Sequence, residues 1–77
     1  MTLSEMKTGT SGVVTQVGGE SAEQQHLLDM GLTPGARVTL IGTALLGDPL
    51  IIKVRGSRLS IRRRLAKEIC VSGGDGG

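Results

Sequence analysis

Apolar and polar residues follow two rhythms along this chain. Around Leu27-Leu28-Asp29-Met30 the apolar positions cluster as on one side of a short helix. Arg37–Ile41, Leu50–Arg55 and Arg58–Arg62 instead alternate with the period of two that a half-buried strand requires. In these runs Val38 and Leu40, then Leu50, Ile52 and Val54, then Leu59 and Ile61 are expected to face inward. Gly12–Val17 is rich in β-branched residues and predicts a first strand, with Val13, Thr15 and Val17 on one face. Ile69-Cys70-Val71 can close the series as a fifth strand. Thr2–Ser11 is polar and reads as a lead-in, with a turn at Gly9–Gly12.

The breaks between these runs have their own chemistry. Ser21-Ala22-Glu23-Gln24 has the S-x-x-Q form of a capping box, so the helix should start at Ser21 and stop at Met30 or Gly31. A helix this short does not hold alone; packing of Leu27, Leu28 and Met30 onto the sheet is expected to secure it. Gly31 sits where a left-handed residue ends a helix, because glycine has no Cβ to clash there. Thr33-Pro34-Gly35-Ala36 fits a type II turn. Thr43–Pro49, ending in Gly47-Asp48-Pro49, is a hairpin connection, and Gly56-Ser57 a two-residue one. Arg63–Glu68 has room for one helical turn. A small antiparallel sheet removes its edges by closing on itself. The expected fold is mainly β: an SH3-like five-stranded barrel with one short helix between strands 1 and 2. It spans residues 1–71, followed by a disordered Gly-rich tail over 72–77.

Composition narrows this picture. The chain has 77 residues and no aromatic residue, so a small core must come from Leu, Ile, Val, Ala and Met. A domain of about this size buries only ~60% of the surface its unfolded chain exposes. The lone Cys70 excludes an intrachain disulfide and a thiolate zinc framework, and is expected to point outward. The start of the chain lacks the basic-then-apolar pattern of a signal peptide, and no run approaches the ~20 apolar residues of a membrane span. A soluble cytoplasmic protein without membrane insertion is expected. The net charge is +2, but seven of the nine Lys and Arg residues lie from Lys53 onward, which suggests an anionic partner.

No nucleophile, phosphate-loop or paired-carboxylate motif is present, so no enzyme is expected and no cofactor is required. Glu23, His26 and Asp29 share one helical face and could hold a divalent metal, iron or zinc, weakly; a solvated face is the plainer reading. Arg58, Arg62, Arg63, Arg64 and Lys67 form a basic cluster. Single-strand nucleic-acid readers stack bases on aromatics, so solvated surface or an acidic protein partner suits this cluster better. Leu45 and Leu46 stand together on a hairpin tip, where they either project as a contact point or fold back over the barrel end. The expected partner-binding set is therefore Leu45, Leu46, Arg58, Arg62 and Arg63, and weak self-association is left open.

Several motifs then occur together in order. Leu27-Leu28-Asp29-Met30-Gly31-Leu32-Thr33-Pro34-Gly35 resembles the LxxMGLxPG signature of the FeoA family. Leu46-Gly47-Asp48-Pro49-Leu50 matches its LGDPL hairpin, and Gly56, Leu59–Arg62 and Ala66, Ile69 and Val71 match its C-terminal pattern. Leu28, Met30, Gly31, Pro34, Gly35, Gly47, Asp48 and Pro49 carry the signature. His26 stands where the family often has arginine, and Leu65 where it often has an acidic residue. The resemblance implies an SH3-like accessory protein of bacterial ferrous iron uptake. Its implied partner is a FeoB-like membrane permease with a cytoplasmic G domain, which would place the chain peripherally at the inner membrane. The module is also similar to the C-terminal domain of DtxR-type repressors. This sequence shows no DNA-binding or metal-sensing domain, so a free-standing FeoA protein is expected rather than a repressor domain.

Overall fold

Seven regular elements follow one another in the computed structural model, which describes residues 1–19 and 21–73: β1 (Ser11–Val17), α1 (Ala22–Asp29), β2 (Arg37–Thr43), β3 (Leu50–Val54), β4 (Ser57–Ile61), α2 (Arg63–Ala66) and β5 (Ile69–Ser72). A single 3₁₀ turn lies at Leu3–Glu5, and Leu45–Gly47 forms a tight turn that passes through a left-handed Leu46. The strands form one antiparallel sheet in the order β4-β3-β2-β1-β5, with the helix between strands 1 and 2 as expected.

The sheet is not closed. Among the described residues β4 and β5 do not pair, which corrects the expectation of a fully closed barrel. The outer edge of β5 is covered by the start of the chain instead. Thr2 bridges Cys70, and the Val71 N–H donates to Met1 O at 2.8 Å. This satisfies backbone groups that an exposed edge would leave open to other strands.

The core lies on one side of the sheet. Val38, Leu40, Leu50, Ile52, Val54, Ile61, Ile69 and Val71 are all buried, as their alternation predicts, and Leu59 packs against them. Two expectations shift. Val13, Thr15 and Val17 do not share one face of β1: Gly12 and Val14 are buried, while Val13 is half-buried and Thr15 exposed. A bulge between Val14 and Gln16, where two steps on β1 face one on β5, then returns Val17 to the core side opposite Ile69. The lead-in is also no polar linker: Leu3 and Met6 are buried in the core. In its 3₁₀ turn the Thr2 N–H and hydroxyl donate to the Glu5 carboxylate at 2.7 and 3.1 Å, which holds that exposed carboxyl below its ordinary pKa.

Helix α1 is half of the expected capping box. Ser21 Oγ accepts the Gln24 N–H at 3.1 Å, but the Gln24 side chain turns inward, is buried, and donates to Gly18 O at 2.7 Å. Leu27 enters the core and Leu28 is half-buried, whereas Met30 faces solvent, contrary to expectation. The stop is a Schellman arrangement. The Gly31 N–H donates to Leu28 O at 3.0 Å and the Leu32 N–H to Leu27 O at 3.1 Å, which delivers Leu32 fully buried. Gly31 has φ +103, and a Cβ built there would meet Arg55 Cδ at 2.9 Å. The Thr33–Ala36 turn forms as expected, its Ala36 N–H donating to Thr33 O at 2.9 Å.

The β3–β4 hairpin turns one residue earlier than the alternation suggested. Arg55 and Gly56, at φ +49 and +81, make the turn, and Ser57 already pairs with Val54. Arg55 therefore points across the fold instead of along a strand. Its guanidinium donates to Gly31 O and Thr33 Oγ1 at 3.1 and 3.2 Å, tying this hairpin to the helix stop. Cys70 is half-buried and faces away from Ile69 and Val71. Ser72 pairs with Val13, so it belongs to β5 and not to a tail; residues 74–77 lie outside the described residues.

Candidate functional site

The connection from β2 to β3 projects two leucines into solvent. Leu45 is 90% exposed and Leu46 103%, so neither folds back over the sheet. Thr43 pairs with Leu50 at the base of the loop, the Ala44 N–H donates to Pro49 O at 2.9 Å, and the Gly47 N–H donates to Ala44 O at 3.0 Å. Leu46 and Gly47 carry the chain through two successive left-handed conformations, φ +66 and +81. The Asp48–Pro49 peptide is cis.

Arg63, the first residue of α2, lies at the base of this loop. Its Nε and one Nη donate to Gly47 O at 3.2 and 2.9 Å, its other Nη donates to Ser4 O at 2.9 Å, and its backbone N–H donates to Asp48 Oδ1 at 2.9 Å. Charge patterning puts Arg63 among surface cations meeting a partner, but its guanidinium is engaged inside the molecule, and alternation and charge carry no signal of this.

The remaining cations are spread out. Leu50 pairs with Ile61, which puts Arg62 and Arg63 near the loop, while Arg58 pairs with Lys53 three residues further along β4. At ~3.4 Å per strand residue that is about 10 Å from the Ile61 end. Lys53 and Arg58 are both exposed and directly opposite, a like-charge pair that costs stability. Arg64 is ion-paired with Glu23 at 2.9 Å, and both side chains are more than half exposed, so the pair adds little to stability.

Glu23, His26 and Asp29 lie along α1, but they do not converge into a metal site. Glu23 is engaged by Arg64, Asp29 accepts from Gln25 Nε2 at 3.2 Å, and among the described residues no three His, Cys, Asp or Glu side chains are grouped to hold an ion. Two shallow clefts flank the seam between α1 and α2 and share Glu23 and Leu65. The more apolar one is lined by Ala22, Leu27 and Leu65, with His26, Ser60 and Arg62 at its border. Among the described residues no helix is long and apolar enough to cross a membrane.

Comparison with known proteins agrees with this architecture. A family model described as the FeoA domain matches residues 1–73. The Fe(2+) transport protein A/Fe(2+) transporter FeoB fusion protein of Porphyromonas gingivalis is 33% identical over 69 residues, 90% of this chain but only 8% of that protein. The chain thus spans a small part of the curated relative it matches. The solution structure of a FeoA protein from Chlorobium tepidum superposes with a TM-score of 0.88 at 39% identity, covering 99% of this chain and 75% of that one. A Stenotrophomonas maltophilia FeoA, solved in complex with zinc and described as a procaryotic SH3 domain protein, has a TM-score of 0.82 at 32% identity, covering 94% and 89%. The fold alone recurs in T. acidophilum IdeR, at 18% identity and a TM-score of 0.82 over 97% of this chain and 34% of that one. Five antiparallel strands, the helix between the first two, and the signature from Leu27 to Gly35 followed by the Gly47-Asp48-Pro49 hairpin therefore have one source: the chain belongs to the FeoA family.

Proposed function

We propose that this chain is a non-enzymatic accessory factor of ferrous iron transport that binds the cytoplasmic part of a FeoB-like permease through the Leu45–Leu46 loop. The partner is supported by the relative in which a FeoA-like segment and FeoB form one chain, since fusion keeps the two together. The surface is carried by one observation: two adjacent leucines fully exposed on a loop whose backbone is pinned. Full burial of a leucine side chain contributes about 1.5–3 kcal/mol, so a pair anchored in an apolar pocket can dominate a small interface. Arg58 and Arg62, both exposed, with Lys53 opposite Arg58, add a basic surface suited to an acidic partner face and to faster encounter. The chain would work in the cytoplasm and reach the membrane through this partner.

Capture of the purified chain on an immobilised FeoB-like G domain tests the reading. Leu45→Asp/Leu46→Asp should fold normally, because neither side chain is packed, and should lose capture. Undiminished capture by the folded double variant removes the loop from the interface. Metal binding by Glu23, His26 and Asp29 is not part of this reading, because the three side chains do not converge.

A further inference from the structure

We infer that Arg63 is the positioning residue of the presented loop, a clamp that holds Leu45 and Leu46 in the conformation a partner meets. The functional consequence rests on the reading above; the clamp itself stands on geometry. Leu46 adopts φ +66, a left-handed conformation that a leucine enters rarely, and its side chain touches nothing that would hold it there. Such conformations persist where the surroundings over-determine them, and they gather at functional sites. Among the described residues, two backbone–backbone hydrogen bonds restrain residues 44–49 from within the loop, from Ala44 to Pro49 and from Gly47 to Ala44.

Arg63 supplies the rest. Two guanidinium donors meet on Gly47 O, a third reaches Ser4 O, and the Arg63 N–H takes Asp48 Oδ1. One side chain thereby grips the Gly47–Asp48 peptide, one residue beyond Leu46, and ties it to the 3₁₀ turn whose Leu3 is buried in the core. Arg63 is itself fixed, because α2 is anchored by fully buried Ala66. A planar fork with several donors is needed for this; a lysine keeps the charge but has a single nitrogen and loses the fork. The clamp keeps the leucines apart from the sheet and limits the ordering that binding would otherwise require of the loop.

Amide hydrogen exchange on the full chain, read residue by residue, tests the clamp alongside capture on the G domain. In Arg63→Lys and Arg63→Ala the Ala44 and Gly47 amides should exchange about tenfold faster or more, with Ile52 and Leu40 unchanged, and capture should weaken several-fold. Arg37→Ala, exposed at the end of β2 away from the loop, should alter neither exchange nor capture. Unchanged exchange at Ala44 and Gly47 in both variants overturns the clamp, and so does an equal acceleration at Ile52 and Leu40, which would make Arg63 a general structural residue. A loosened loop with wild-type capture, while Leu45→Asp/Leu46→Asp loses capture, overturns the positioning role and leaves the leucine interface standing. Retained capture by the leucine variant overturns the interface, whereas the exchange result still decides the clamp.

Discussion

Three residues set the local geometry of this protein: Gly31, Arg55 and Arg63. Gly31 ends α1 at φ +103 with Arg55 Cδ lying where a Cβ would go, so a β-branched side chain would strain the backbone and push Arg55 off Gly31 O and Thr33 Oγ1. Gly31→Val should destabilise the fold by about 1–3 kcal/mol, read as a lower midpoint in urea unfolding, and an unchanged midpoint would contradict this account of the helix stop. The glycine was legible from the sequence, because a helix followed by Thr-Pro-Gly needs a left-handed stop. The two arginines were not. Alternation assigns Arg55 to the outside of a strand and charge assigns Arg63 to a basic surface, but both guanidinium groups are spent on carbonyls 16 to 59 residues away in sequence. Nothing local in a sequence records a contact of that span.

At the scale of elements, α1 shows how far a short signal carries. Ser21 caps it as the S-x-x-Q pattern implies, so Ser21→Ala should cost about 0.5–2 kcal/mol in chemical denaturation. The reciprocal half of the box is absent because the Gln24 side chain is drawn inward, where its Nε2 donates to Gly18 O. Periodicity placed β2, β3 and β4 well, since each strand has a solvent face and a core face. It put Val13, Thr15 and Val17 of β1 on one face, whereas a bulge between Val14 and Gln16 breaks the period of two and sets Val17 on the core side with Val14. The β3–β4 hairpin moved by one residue for a related reason: two left-handed residues are needed, and Arg55 rather than Ser57 supplies one of them.

For the whole molecule, the notable feature is how so small a core completes itself. The sheet stays open, and the start of the chain fills the gap: Leu3 and Met6 enter the core while Met1 and Thr2 pair along β5. Leu3→Ala should therefore be among the most damaging substitutions, about 2–5 kcal/mol, which for a domain of marginal stability approaches global unfolding. Loss of most cooperative signal in thermal unfolding would show this; a near wild-type melt would mean that the lead-in is dispensable. The same segment receives Arg63 through Ser4 O, so the core, the covered edge and the presented loop share one support.

The sequence by itself determined the strand count, the inward residues of β2 to β5, the helix and its stop, the turn at Thr33–Ala36 and the family signature. Each of these is set by short-range physics, namely side-chain periodicity and the φ preferences of glycine and proline. Only the tertiary structure decided that the sheet stays open, that Leu3 and Met6 complete the core, that Val14 and Val17 face it on either side of a bulge, and that Glu23, His26 and Asp29 do not converge. It alone showed Leu45 and Leu46 fully exposed above an arginine clamp. These features depend on which distant backbone carbonyls and side chains the folded chain brings within hydrogen-bonding distance, and a one-dimensional pattern carries no such distances.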